Sequence, residues 1–92
     1  MDVLSDQRLS ASAKVIYALL DEMGQGRPVG IRQAEIADLV SISRKTTIAQ
    51  LRELHARNHI RVSTYITNDG RSVRTYQTRV SASERALTPI FY

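Results

Sequence analysis

Apolar residues along the chain recur first at a helical period and then at a period of two. In SASAKVIYALLDEM (10–23), Ala13, Ile16, Leu19, Leu20 and Met23 fall three and four apart, which predicts an amphipathic helix. Ser10 is placed to cap its start, and Gly24 is placed as the left-handed residue after its end. GQGRPVGI reads as a loop with a short extended piece at Val29–Ile31. RQAEIADLV (32–40) predicts a second, shorter helix with Ile36, Leu39 and Val40 as its apolar edge and Ala37 small beside them. A third helix is predicted over 44–57, with Thr47, Ile48, Leu51 and Leu54 on one stripe and Asn58 as a left-handed terminator.

From Ile60 the alternation changes. IRVSTYIT (60–67) and SVRTYQTRV (72–80) are rich in β-branched and aromatic residues and flank NDGR. Asp69-Gly70 as a two-residue turn would set Ile66 opposite Val73 and Thr64 opposite Thr75. Ile60, Val62, Ile66 and Val73 would then face the core, with Arg61, Tyr65, Arg74 and Tyr76 on the other side. The tail SASERALTPIFY (81–92) carries an apolar end, Ile90–Phe91–Tyr92, suited to packing or to oligomerisation. The expected organisation is therefore one domain over 1–80 with a tail over 81–92.

Ninety-two residues, 42% of them hydrophobic, suffice for one modest core. With no cysteine there is no disulfide, no thiolate metal ligand and no thiol nucleophile. The cysteine-free composition and the absence of a basic, apolar leader at MDVLSDQ suggest a cytoplasmic protein without a membrane role. The net charge of +4 is unevenly placed: residues 1–43 sum to −2 and residues 44–92 to +6. A basic half of this kind suits a polyanionic partner, though a soluble surface with clustered charge has the same look.

The order helix, short strand, helix, tight turn, helix, two-stranded ribbon is that of a winged helix-turn-helix. IADLVSISRKTTIAQLRELHARNHI (36–60) resembles the core of that motif through Ile36, Ala37, Val40, Ile42, Ser43, Arg44, Thr46, Leu51, Leu54 and Ile60. It departs from the motif at Ser41, where glycine is usual, at Thr47, where valine is usual, and at Asn58-His59. LSASAKVIYALL is similar to the first helix of helix-turn-helix domains in phage and plasmid replication proteins. The resemblance implies an α+β fold with three helices, a short strand and a two-stranded β-ribbon wing. It also implies double-stranded DNA as the partner, with the third helix in the major groove and the wing on the backbone.

On the third helix, Lys45, Thr46, Ala49, Gln50 and Arg52 are the base-side candidates. Lysine and arginine can donate to guanine, glutamine can pair with adenine, and alanine can meet a thymine methyl. Gln33, Ser43, Arg44, Asn68, Arg71 and Arg74 suit phosphates, which position a protein without specifying sequence. Plainer readings stand beside these. Arg52 and Glu53 also fit solvated helix charges, and Tyr65 and Tyr76 fit ribbon packing. The wing arginines also discourage edge pairing of strands. His55 and His59 have helical metal-ligand spacing, but Asn58 ends the helix between them and no third ligand is evident. GQGRPVG lacks the spacing and the Lys-Ser/Thr ending of phosphate loops, and no catalytic constellation appears, so neither an enzyme nor a cofactor is expected.

The reading is thus a sequence-specific DNA-binding protein, a small transcriptional regulator of a bacterial, plasmid or phage system, acting as a homodimer or as repeats along DNA. A replication initiator or partition protein is the alternative within DNA binding. A winged helix used only as a protein-interaction module is the alternative outside it.

Overall fold

The computed structural model describes residues 3–80. A single 3-10 turn, Val3–Ser5, leads into α1 (Ala11–Gly24), β1 (Val29–Gly30), α2 (Gln33–Val40), α3 (Arg44–Ala56), β2 (Arg61–Ile66) and β3 (Ser72–Gln77). The three strands form one antiparallel sheet in the order β1-β3-β2. The described residues are thus a small α+β domain of three α-helices and a three-stranded sheet, an arrangement compatible with a winged helix. No helix among them is long and apolar enough to cross a membrane.

The helices begin and end largely for the local reasons the sequence suggests. Ser10 Oγ accepts the Ala13 N–H at 3.1 Å and caps α1, whose Ala13, Ile16 and Leu20 are buried. Two expectations about α1 change. Met23 is 50% exposed, because the last turn of the helix runs past the core. Gly24 is the last helical residue, and Gln25 takes the left-handed conformation at φ 49°. Gly24 serves a close approach instead: a Cβ there would stand 2.6 Å from Val29 Cγ2, at the point where the chain turns into β1.

Helix α2 buries Ile36 and Ala37 but leaves Leu39 60% exposed, so Leu39 is not part of the apolar edge. Ser41 accepts the left-handed position, φ 58°, where glycine is usual in the motif. The turn is closed by Ile42 N–H donating to Ala37 O at 3.1 Å, which seats Ile42 against the core. Ser43 then caps α3, its Oγ accepting the Thr46 N–H at 3.0 Å. Thr47 is fully buried, and its hydroxyl donates to Ser43 O at 3.0 Å, so the swap from valine leaves no polar group unsatisfied. Asn58 ends the helix in the left-handed region at φ 61°.

The hairpin differs from expectation by one residue, with large consequences. Its strands pair Tyr65 with Val73 and Ile66 with Ser72. The turn is built on Thr67, whose C=O accepts the Gly70 N–H at 3.0 Å, with Gly70 at φ 85°. The ladder closes one step earlier, with Thr67 N–H donating to Arg71 O at 2.8 Å. Three residues, 68–70, therefore form the loop, as in a type I turn followed by a left-handed bulge residue. The Thr67 hydroxyl and the Asp69 carboxylate both receive the Arg71 N–H, which fixes this longer loop.

Because side chains alternate, a one-residue shift turns every β3 residue to the other face. Tyr76 accordingly pairs with Val62 and is fully buried, not on the outer side as expected. Ile66, assigned to the core face, is 65% exposed near the hairpin end. Val73 lies on the outer face, half-buried beside Gly30 and Tyr65.

The core joins Ala13, Ile16 and Leu20 of α1, Ile36 of α2, and Leu51 and Leu54 of α3 to Ile60, Val62 and Tyr76. Two polar latches fasten its edges. Thr78 donates to Asp21 Oδ1 at 2.7 Å and Arg79 pairs with the same carboxylate, tying the end of the sheet to α1. At the other end, the buried Asp6 lies 2.9 Å from His59 Nε2 and accepts from Arg8 at 3.0 Å.

Arg8, and then His59, hold the Asp6 carboxyl far below the usual carboxylate range. A carboxyl lowered on folding stabilises the fold fully above its unfolded value, 3.8, and loses that contribution as pH falls further. The expected result is a thermal midpoint that falls steeply below about pH 4. Asp6→Asn should lower the midpoint at neutral pH and flatten that acid limb, as read by circular dichroism.

Candidate nucleic-acid interface

The outer surface of α3 follows from its wheel. With Thr47, Leu51 and Leu54 turned inward, Lys45, Ala49, Arg52 and Ala56 come to the surface on one exposed stripe. Lys45 stands in the first turn, beside N–H groups that carry the helix's partial positive charge. Neither Arg44 nor Lys45 has an acidic partner among the described residues, and both are exposed. Thr46 is half-buried; its hydroxyl accepts from Ser43 Oγ at 2.9 Å, so it belongs to the cap and borders the stripe.

Gln50 departs most from its predicted place. It lies on the flank facing α1, where Ser10 Oγ donates to its side-chain carbonyl at 2.8 Å. Ser10 thus caps α1 with its lone pair and clips α3 with its proton. Glu53 is engaged as well, in an ion pair with Arg57 one turn on. The amide of Gln50 still has donors to offer, but at the edge of the stripe.

Beside the start of α3 lies an open cleft of about 710 Å³. One wall is Ile31 and the first turn of α2, with Arg32, Gln33 and Glu35. The other is the inner face of the hairpin, with Thr64, Ser72, Arg74 and Tyr76. Arg44 and Arg71 complete the rim. Four predicted backbone residues, Gln33, Arg44, Arg71 and Arg74, are therefore brought together here. Ser43 caps α3 next to this rim, and Asn68 stands exposed at the hairpin tip.

Four arginines line the cleft against one acid, Glu35. Arg32 pairs with Glu35 at 3.2 Å and Arg71 with Asp69 at 3.1 Å, but all four side chains are exposed. Such pairs are weak and solvent-screened, so they exchange readily for a stronger anion. The balance of this surface is positive.

Sequence reasoning missed Arg32, Thr64, Ser72 and Tyr76. The parity of β3 carried the signal: had the loop been read as three residues, Ser72, Arg74 and Tyr76 would have shared the face of Val62 and Thr64. The Tyr76 hydroxyl is sealed from solvent and makes no hydrogen bond of standard geometry. Burial pushes its ionisation up, while the neighbouring Gln33 and Arg74 side chains draw it partly back. It therefore stays protonated, and a donor, at neutral pH.

His59 faces Asp6, and no group of three potential metal ligands occurs among the described residues. The tail expected to pack or oligomerise, 81–92, lies outside the described residues. No family model matches the chain, and neither the curated proteins nor the solved structures contain a match.

Proposed function

We propose that this chain is a winged helix-turn-helix that binds double-stranded DNA sequence-specifically, as a small transcriptional regulator. The observation that carries the reading is the single basic surface formed by the α3 stripe of Lys45, Ala49 and Arg52 and the adjoining arginine-lined cleft. Helix α3 is amphipathic, its Lys45, Ala49, Arg52 and Ala56 are exposed among the described residues, and it is capped at the end nearest the cleft. Those are the properties of a helix that enters the major groove by its N-terminal half. Lys45 and Arg52 then face base edges, with Ala49 allowing close approach between them. Gln33, Arg44, Arg71 and Arg74 take the phosphates on one flank. Gln50, held by Ser10, borders the opposite flank.

Selection of duplexes from a randomised pool tests this reading. Enrichment of a consensus a few base pairs long per module is expected, repeated if two copies bind side by side. Recovery of no duplex above a no-protein control would count against it.

A further inference from the structure

We propose that Ser10 is a positioning residue that holds the Gln50 amide with its NH2 group toward the duplex, so that this margin of α3 selects guanine and not adenine. The inference rests on the DNA-binding reading and adds which base edge the surface takes. Ser10 Oγ has one proton and two lone pairs. It accepts the Ala13 N–H at 3.1 Å as the cap of α1, and it donates its proton to Gln50 Oε1 at 2.8 Å. The bond lies at the exposed junction of α1 and α3 and draws the Gln50 carbonyl toward α1. The NH2 group, on the other arm of the amide, has no partner among the described residues. An amide turned the other way would leave the Ser10 proton without this acceptor, so the capping serine sets the orientation.

An unrestrained glutamine reads adenine with both arms, accepting from N6 and donating to N7. With its carbonyl engaged by Ser10, the same side chain offers protons alone. In the major groove guanine presents two acceptors, N7 and O6, whereas cytosine presents an N–H donor. A donor at this place therefore suits guanine best and cytosine least. The neighbouring groups have the same polarity. Lys45 and Arg52 carry only donors, and Thr46, whose oxygen accepts from Ser43 Oγ at 2.9 Å, keeps its own proton to give. The one carboxylate on α3, that of Glu53, is drawn to Arg57.

Selection from a randomised duplex pool by the full chain gives its preferred site, and Gln50→Ala identifies the base pair whose preference depends on Gln50. Four duplexes differing only at that pair are then titrated by fluorescence anisotropy. In the parent, the G·C pair in one orientation should lead the reversed pair and both A·T orientations by roughly two- to tenfold, the worth of one hydrogen bond. Ser10→Asp keeps the cap of α1, but its carboxylate has no proton to give and accepts from the NH2 group, which turns the Gln50 carbonyl outward. The lead should then pass to an A·T pair or to the reversed pair. The added charge weakens all four duplexes alike, so the ratio is the measure. Ser10→Thr retains both cap and proton and should keep the parent order. Combined with Gln50→Ala, Ser10→Asp should leave the four duplexes equal, a dependence that a merely structural role for Ser10 would not produce.

A change of order in Ser10→Asp that vanishes in the double variant supports the proposal. An A·T lead in the parent, the parent order retained in Ser10→Asp, or no base pair sensitive to Gln50→Ala overturns it while the DNA-binding reading stands. Recovery of no duplex by the parent overturns both.

Discussion

Lys45→Ala is expected to reduce the preference for a selected duplex over a random one by roughly 1–3 kcal/mol, the cost of one lost base contact. The side chain is exposed and has no acidic partner among the described residues, and the cap of α3 belongs to Ser43. Truncation therefore leaves the fold intact, within about 0.5 kcal/mol in denaturant unfolding. The effect should appear as a falling ratio of preferred to random affinity in fluorescence anisotropy. Alanine at Arg71 should behave differently, weakening all duplexes alike and reducing the salt slope by about one. An unchanged ratio in Lys45→Ala would remove that residue from the base-reading face.

Leu51→Ala should have the largest effect on stability, a loss of about 2–5 kcal/mol. Leu51 is fully buried on α3, within the cluster that includes Ile16, Ile36 and Ile60. Deleting its branched end leaves a cavity among side chains carried by different elements, which cannot all collapse inward. For a small domain that loss is a large part of the total. A urea midpoint lowered accordingly, with duplex binding lost only as the protein unfolds, is the expected outcome. Leu51→Met, nearly equal in volume, should cost less than about 1.5 kcal/mol. Equal stability of the alanine variant and the parent would mean that α3 is not seated through this residue.

The helices were legible because their signals are local. Ser10 and Ser43 occupy cap positions, and Thr47, Leu51 and Leu54 recur at the helical period. The hairpin was legible as a hairpin, since Asp-Gly marks a turn, but the dipeptide does not set its length. Thr67 and Asp69 together hold the Arg71 N–H and add one residue to the loop. That single step carried Tyr76 into the core.

Other features depend on partners far along the chain. The meeting of Asp6 with His59 spans 53 positions, and that of Ser10 with Gln50 spans 40; neither leaves a local pattern. Gly24 looked like a helix terminator because glycine often is one, whereas here the approach of Val29 requires it. Met23 and Leu39 followed the apolar period yet lie outside, because periodicity gives a face and neighbouring elements decide how much of it is covered. The exposed stripe of Lys45, Ala49 and Arg52 on α3 was legible from the helical period, whereas the cleft arises only from the packing of α2 against the hairpin.

The most direct test of duplex recognition by this basic surface is equilibrium binding across a salt series. A selected duplex and a random one would be titrated with the full chain from about 50 to 200 mM salt, the range over which counterion release is readily resolved. Both affinities should fall linearly in log–log form, with a slope near −0.9 for each phosphate contacted, and the selected duplex should stay tighter throughout. No duplex binding at the lowest salt, or binding indifferent to salt and sequence, would contradict the account.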